Sequence, residues 1–556
     1  MAQLVIDGKA VRFTGRKMIL QVALENGLLI PHYCYHPGLS IVGSCRLCLA
    51  EIAQPNPRTH TLELVPKLVP TCATPAADGM VVHTQSPKAI ANQKAVMEYF
   101  LTSHPLDCPV CDKAGECSLQ DFSFGYGRAV SRFEEDKVKN AVKEIGPRVK
   151  LYADRCIFCN RCVRFCREIT GTAELGWYGR GAWQEIDIFP GKPLANELSV
   201  NVVDLCPVGA LTEKDFLFQQ RVWFLTNTPS IDGVTASGDN IWIDQNEGQI
   251  YRIRPRFNPE VNRWWTSDEI RAGWKPVHSP DRLRHPRRQQ YGTQIACTWS
   301  QACTEAAQNL HRLTKEKGPG VLALLISPML SCEEAYLLGR LARDLDPRAL
   351  LGIGPVPVEG QNKTFPGGYT VYAEKCPNLR GVQRALDLVN ARPAPAESAP
   401  ATGVLDFAGF LRVLADKAGP VASVIVTGNY PSPWITRELM TGLARKFTVL
   451  IDTLANDLSP RADIVLPTGT WAETAGTFEN IHHRLQSYCQ AIDVLEDART
   501  VGQIALDLAA AAEGCAPGIF DADAVRQEMG GVFITDVAPA RLPAPTRESA
   551  MTYVPL

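Results

Sequence analysis

Three cysteines and one histidine fall within HPLDCPVCDKAGEC, His104 to Cys117. Thiolate and imidazole are ligands for borderline and soft metals, so His104, Cys108, Cys111 and Cys117 can hold either a zinc ion or a 4Fe–4S cluster. Their own spacing does not separate the two; their neighbours favour iron. Upstream, Cys34, Cys45, Cys48 and Cys72 are spaced C-x10-C-x2-C-x23-C. A long loop, a close pair and a distant fourth thiolate suit a 2Fe–2S cluster, which takes two thiolates on each iron. A structural zinc site is the alternative, and the wide, uneven spacing speaks against it. Gly43, in GSCRLC, leaves room for backbone N–H groups to approach the sulfurs.

Downstream, RCIFCNRCVRFCRE (155–168) places Cys156, Cys159, Cys162 and Cys166 in the C-x2-C-x2-C-x3-C run of bacterial ferredoxins, and DLCPVGAL (204–211) supplies Cys206 followed by Pro207. In two-cluster ferredoxins the fourth cysteine of one run ligates the other cluster. Counting back from Cys206 by the same spacing meets Val202, Ser199 and Asn196, none of them a cysteine. The second run keeps only its last ligand. One 4Fe–4S cluster is therefore expected on Cys156, Cys159, Cys162 and Cys206, with Cys166 left as a buried free thiol. Twelve of the 18 cysteines lie between residues 34 and 206, and the other six are scattered. A disulfide framework does not fit this clustering in a long chain that opens without a secretory signal; metal does.

The elements that must position these ligands are partly legible. MAQLVIDGKAVRF reads as strand–turn–strand about Asp7-Gly8, and a start at residue 1 or 2, in the compartment of synthesis, is expected. KMILQVALENG (17–27) suits a short helix ended by Asn26-Gly27. SPKAIANQKAVMEYFLTSHP (86–105) predicts a helix capped by Ser86, with Pro87 first and Ile90, Met97 and Leu101 on one face; it delivers the chain to His104. His83 precedes this helix and reads as an ordinary polar residue. Beyond about 220, apolar runs alternate with helical stretches: VLALLISP (321–328), SCEEAYLLGRLARDL (331–345), VASVIVTG (421–428) with a helix to about 446, FTVLID (447–452) and ADIVLP (462–467). This predicts an α/β domain with a mainly parallel sheet. Residues 390–403 read as a Pro/Ala-rich linker, and the tail is Pro-rich. A net charge of −2 argues against a nucleic-acid partner, and no apolar run reaches the ~18 residues of a membrane helix.

The segments IPHYCYHPGLSIVGSCRLCLAEI, TCATPAADGMVVHT, HPLDCPVCDKAGECSLQD and CIFCNRCVRFC…DLCPVGALT, in this order, resemble the large iron–sulfur subunit of the peripheral arm of respiratory complex I, the NADH–quinone oxidoreductases. VNRWWTSDEIR (261–271) and ADIVLPTGTWAETAGTFENIHHRLQ (462–486) are similar to the molybdopterin oxidoreductase fold. The resemblance implies an α/β and α+β multidomain chain. Its parts would be a 2Fe–2S ferredoxin-like β-grasp domain (1–85), a helix with the histidine-ligated 4Fe–4S segment (86–130), a 4Fe–4S ferredoxin-like domain (131–220), a molybdopterin-oxidoreductase-like domain without pterin (221–536) and a Pro-rich tail (537–556). It implies one 2Fe–2S and two 4Fe–4S clusters on the ligand sets above. Residues 221–275 contain no cysteine, so the further cluster some relatives carry there is expected to be absent, and His482-His483 reads as a loop pair. The implied activity is electron relay in NADH:quinone oxidoreduction. Expected partners are an FMN-bearing NADH-oxidising subunit and 4Fe–4S subunits leading to quinone. Membrane contact would be indirect, at the cytoplasmic face of the bacterial inner membrane. No Gly-rich nicotinamide loop is present on this chain. Alternatives are the iron–sulfur subunit of a NAD-linked hydrogenase or formate dehydrogenase, and a zinc-stapled interaction scaffold.

Overall fold

The computed structural model describes residues 1–56, 58–59, 61–137, 139–392 and 403–530. Most of the predicted linker, and all of the predicted tail, lie outside these residues. The described residues fold as two units, one holding Met1–Leu225 with Thr364–Tyr369, the other Thr226–Lys363 with 370–392 and 403–530.

In the first unit, strands Ala2–Ile6 and Lys9–Phe13 form a hairpin whose Asp7 and Gly8 have φ 46° and 82°. Both turn residues are left-handed, as a two-residue turn between twisted strands requires. Val5 and Ile6 pair in parallel with Val81 and Val82, and strand Leu49–Pro55 lies antiparallel beyond them. Helix Ile19–Glu25 ends at Asn26 and Gly27, and buries Ile19, Leu20, Val22 and Ala23 against Leu4, Ile6 and Val82. Cys48 and Cys72 belong to that same core. The expected helix at 86–105 spans Pro87–Ser103, with Ser86 Oγ accepting from the Ala89 N–H. Its fully buried stripe is Ala89, Gln93 and Met97, whereas Ile90 and Leu101 are half-buried. Gln93 occupies the core face because its amide donates to the Thr84 carbonyl at 3.0 Å. Pro105 follows His104 and disfavours helical backbone there, so the helix stops at the histidine.

The rest of this unit is a sheet ordered Leu211–Glu213, Val149–Tyr152, Val142–Glu144, a hairpin of Leu175–Tyr178 with Glu185–Ile188, and short helices. Helix Arg161–Arg164 runs into a π-helical turn, Phe165–Ile169, that carries Cys166; Asn201–Leu205 delivers Cys206.

In the second unit, strands Thr226–Ile231, Asn240–Asn246 and Gln249–Pro255 make an antiparallel sheet. The expected parallel sheet is present. Leu350–Ile353, Leu322–Ile326, Ser423–Thr427, Phe447–Asp452 and Ile464–Pro467 are parallel neighbours in that order, extended by antiparallel Arg287–Gln290 and Thr293–Ala296. Alternate residues serve opposite faces, as the two-residue strand period demands. Leu322, Leu324 and Ile326 pack with helices Trp299–Lys317, Cys332–Leu345, Leu379–Asn390 and Val501–Glu513; Ala323 and Leu325 pack with Phe407–Ala415 and Arg437–Leu443. The predicted helix to 446 stops at Leu443.

Candidate metal centres

Cys34, Cys45, Cys48 and Cys72 come together as buried thiols. Cys34 hydrogen-bonds through sulfur with Cys45 and Cys72, and Cys48 with Cys72. Thiols this close do not ionise independently. Hydrogen bonds from Cys45 and Cys72 hold Cys34 far below an ordinary thiol, and the one from Cys72 brings Cys48 down to about 7. The Tyr33 N–H donates to Cys45 Sγ at 3.5 Å. Gly43 (φ 61°) and Arg46 (φ 58°) flank Cys45 in left-handed backbone, curling the loop around it. Arg164 holds that loop from the opposite side, donating to the Cys34 and Ser40 carbonyls, while Glu168 accepts from the Ser40 N–H at 2.9 Å. Arg161, Arg164 and Glu168 share one face of the helical segment that carries Cys162. The ferredoxin-like segment is thereby fastened to the first thiol set.

His104 sits at the end of helix Pro87–Ser103. Lys137 Nζ donates to the carbonyls of Leu101 and His104, each at 2.6 Å. A cation at a helix C-terminus satisfies orphan carbonyls and opposes the helix dipole. The imidazole hydrogen-bonds the Arg155 backbone, and its Nδ1 is buried with no hydrogen-bond partner among the described residues. Burial first, then the charges of Lys137 and Arg155, push the ring down to about 4, so it is neutral with a free lone pair. A buried, unpartnered, neutral nitrogen fits a metal ligand. Cys111 and Cys117 are buried and Cys108 is exposed. Burial pushes Cys117 up to about 11, against backbone hydrogen bonds from Gln120 and Leu119 in the first turn of helix Ser118–Tyr126. Those donors favour a thiolate.

Cys156, Cys159, Cys162 and Cys206 line one cavity, whose other walls are Leu151, Ile157, Ile186, Val208, Ala210 and Leu211. Burial raises all three thiols of the run, Cys159 to about 11. A void walled by four sulfurs and otherwise apolar fits a cubane cluster held away from water. Cys166 is not on its lining. That thiol is fully buried, pushed up to about 12 by burial, and its carbonyl accepts from Thr170 Oγ1 at 3.1 Å and the Ala173 N–H at 2.9 Å. Among the described residues no three or more His, Cys, Asp or Glu side chains converge on a point fit for a single ion.

Three residues that the motifs did not single out occupy the ground between these sets. Gly209 abuts Cys111 Sγ. Arg155, one residue before Cys156, pairs with Asp107 through Nε and Nη2 at 3.1 Å each, and lies 4.0 Å over the Tyr152 ring. Arg161, one residue before Cys162, donates to the carbonyls of Leu205 at 3.3 Å and Tyr35 at 2.7 Å. The repeated Arg-Cys step was the available signal in the sequence.

In the second unit, Asp244 is clasped by Arg252 at 2.7 Å and Arg254 at 2.6 Å. Cys332 and Cys376 are buried and engaged with Asn378 and Glu374; Cys489 is exposed. His482 bonds Tyr372 Oη at 2.7 Å and His483 bonds Glu479 at 3.1 Å, in separate contacts. No helix among the described residues is long and apolar enough to cross a membrane.

Five family models match in order. They are "2Fe-2S iron-sulfur cluster binding domain" over residues 1–87, "NADH-ubiquinone oxidoreductase-G iron-sulfur binding region" over 93–132, "NADH-quinone oxidoreductase subunit 3, ferredoxin-like domain" over 146–212, "NADH-ubiquinone oxidoreductase NDSU1/NuoG-like, 4Fe-4S domain" over 225–275, and "Molybdopterin oxidoreductase" over 435–511. The fourth falls on the stretch without cysteine. The G subunit of the NADH-quinone oxidoreductase of Rickettsia felis is 37% identical over 345 residues, 62% of this chain and 49% of that one. The mitochondrial NADH-ubiquinone oxidoreductase 78 kDa subunit of Neurospora crassa is 43% identical over 316 residues, 56% of this chain and 41% of that one. A crystal structure of NAD+-reducing [NiFe]-hydrogenase in the H2-reduced state aligns over 40% of this chain and 91% of that one, at 28% identity and a TM-score of 0.34, too loose to bear on fold. The chain spans about half the length of the curated relatives it matches. In content and order, residues 1–275 are similar to the large iron–sulfur subunit, the G subunit, of NADH-quinone oxidoreductase.

Proposed function

We propose that the chain is an electron-transfer subunit of an NADH:quinone oxidoreductase. It takes single electrons from a neighbouring FMN-bearing subunit that oxidises NADH, and passes them toward 4Fe–4S subunits and quinone. One 2Fe–2S cluster on Cys34, Cys45, Cys48 and Cys72 and two 4Fe–4S clusters, on His104, Cys108, Cys111 and Cys117 and on Cys156, Cys159, Cys162 and Cys206, complete the reading. The carrying observation is the sulfur-lined apolar cavity. Bound clusters supply reversible one-electron storage without proton chemistry. The chain's residues do the rest. Thiolates and one neutral imidazole hold the metal, Leu151, Ile157 and Ile186 keep water from it, and backbone N–H groups at Cys45 and Cys117 favour negative charge on sulfur. The Cys156 set is the middle station. Arg161 joins it to the loop of Cys34, and Gly209 joins it to Cys111. No step runs through a pterin. The chain would lie on the cytoplasmic face of the inner membrane, held there by its partner subunits.

The test is anaerobic purification of the assembly containing this chain, with iron, zinc and molybdenum analysis and visible spectra before and after dithionite. About ten irons for this chain, bleached on reduction, are expected from the cluster types. Colourless chain with stoichiometric zinc would overturn the reading.

A further inference from the structure

Among the described residues Arg161 is a cation without a counterion. Its Nε is buried without a hydrogen-bond partner, and both terminal nitrogens are spent on neutral carbonyls, those of Leu205 and Tyr35. Those two residues immediately precede Cys206 and follow Cys34, ligands of two different candidate centres. The acidic groups that face it are the sulfurs of Cys159, Cys206 and Cys34; Arg164 repels it, as His32 and His36 would if protonated. Arg161 is half-buried, and a charge drawn partly out of water with no counterion is unfavourable until one is supplied. At the other junction the comparable guanidinium, Arg155, is neutralised by Asp107.

We propose that Arg161 is a positioning residue whose charge is balanced by the two centres it separates, and that it sets both of their potentials upward while leaving the His104 centre alone. The proposal rests on the cluster assignment above. A thiolate-ligated cluster is anionic and gains one further negative charge on taking an electron, so a fixed cation between two of them stabilises the reduced form of each. The guanidinium also orients the loop of Cys34 and the end of helix Asn201–Leu205, so charge and geometry need separate variants.

The experiment is a dithionite titration of the anaerobically purified assembly, followed by electron paramagnetic resonance, with iron content measured first. In Arg161→Gln, the 2Fe–2S and Cys156-set signals are expected to move to more negative potential. A tenfold lower reduced-to-oxidised ratio at the wild-type midpoint would correspond to ~59 mV for a one-electron couple. The His104-set signal serves as internal reference and stays in place. Arg161→Lys, which keeps the charge without the fork, holds both potentials near wild type. Full iron with no shift in Arg161→Gln, or an equal shift in all three signals, overturns the proposal. If Arg161→Gln loses iron, its comparison with Arg161→Lys decides. Loss at the two flanking sites in Gln alone shows that the charge is required and supports the proposal; loss in both assigns a purely geometric role and overturns it. Absence of iron from the wild type would instead overturn the cluster assignment itself.

Discussion

A β-carbon on Gly209 would stand 2.2 Å from Sγ of Cys111 and 3.3 Å from Cβ of Lys113. Glycine is needed here for proximity, because the loop leaving Cys206 passes directly against a candidate ligand of the neighbouring set. Gly209→Ala forces either the thiol or the loop to move. The expected outcome is loss of about four irons, those of the His104 set, with the Cys156-set resonance retained. Full iron with unaltered spectra would show that the Cys111 thiol moves aside freely.

His104→Cys exchanges a neutral imidazole for a thiolate in the same buried place. The added negative charge disfavours reduction, so a retained 4Fe–4S signal with its potential lowered by on the order of 100 mV is expected. An unchanged potential with unchanged iron would remove His104 from the ligand set.

Cys166→Ser removes a fully buried sulfur that lies off the lining of the Cys156 cavity. Iron content is expected to stay whole. Burying a hydroxyl in place of a thiol costs about 1–3 kcal/mol, visible as a modestly lower melting temperature. Loss of a whole cluster would return Cys166 to the ligands.

Asp232 gives the second unit a pH signature. Burial first, then the nearby Asp239, raises its carboxyl from 3.8 to about 7, although Thr235 and the Val234 and Thr235 N–H groups hydrogen-bond it. The native state keeps this proton up to about pH 7, and the unfolded chain releases it near pH 4. Between those values the native state binds more protons, so this group's contribution to stability falls as pH rises through the window. Asp232→Asn is expected to flatten that slope and to be the more stable form above pH 7 by on the order of 1 kcal/mol or more. Unfolding curves at pH 5 and pH 8 provide the check; an unchanged slope would show that Asp232 is ionised throughout.

What could be read from the sequence was what repeats locally. The Asp7-Gly8 turn, the Ser86-Pro87 helix start and the Cys-x2-Cys steps are each written within a few residues, and each stands in the structure where its pattern puts it. The parallel sheet was legible because its strands are short apolar runs between helical stretches. Arg161, Arg155, Lys137 and Gly209 were not, because their meaning lies in residues 126, 48, 33 and 98 positions away, the last being the step from Gly209 to Cys111. Gln93 escaped for a related reason. A polar side chain on a helix face reads as exposed until the carbonyl that accepts from it, here Thr84, is located.

The sheet of Thr226–Pro255, with Asp244 in the grip of Arg252 and Arg254, carries no cysteine. The twelve candidate ligands lie outside it, in the other unit. If the twelve hold iron as proposed, the leading part completes its folding only on delivery, while this sheet draws on none of those ligands. Air that strips inorganic sulfide would soften the leading part and spare the trailing one. Brief digestion after exposure to oxygen should then leave a durable fragment beginning near residue 226.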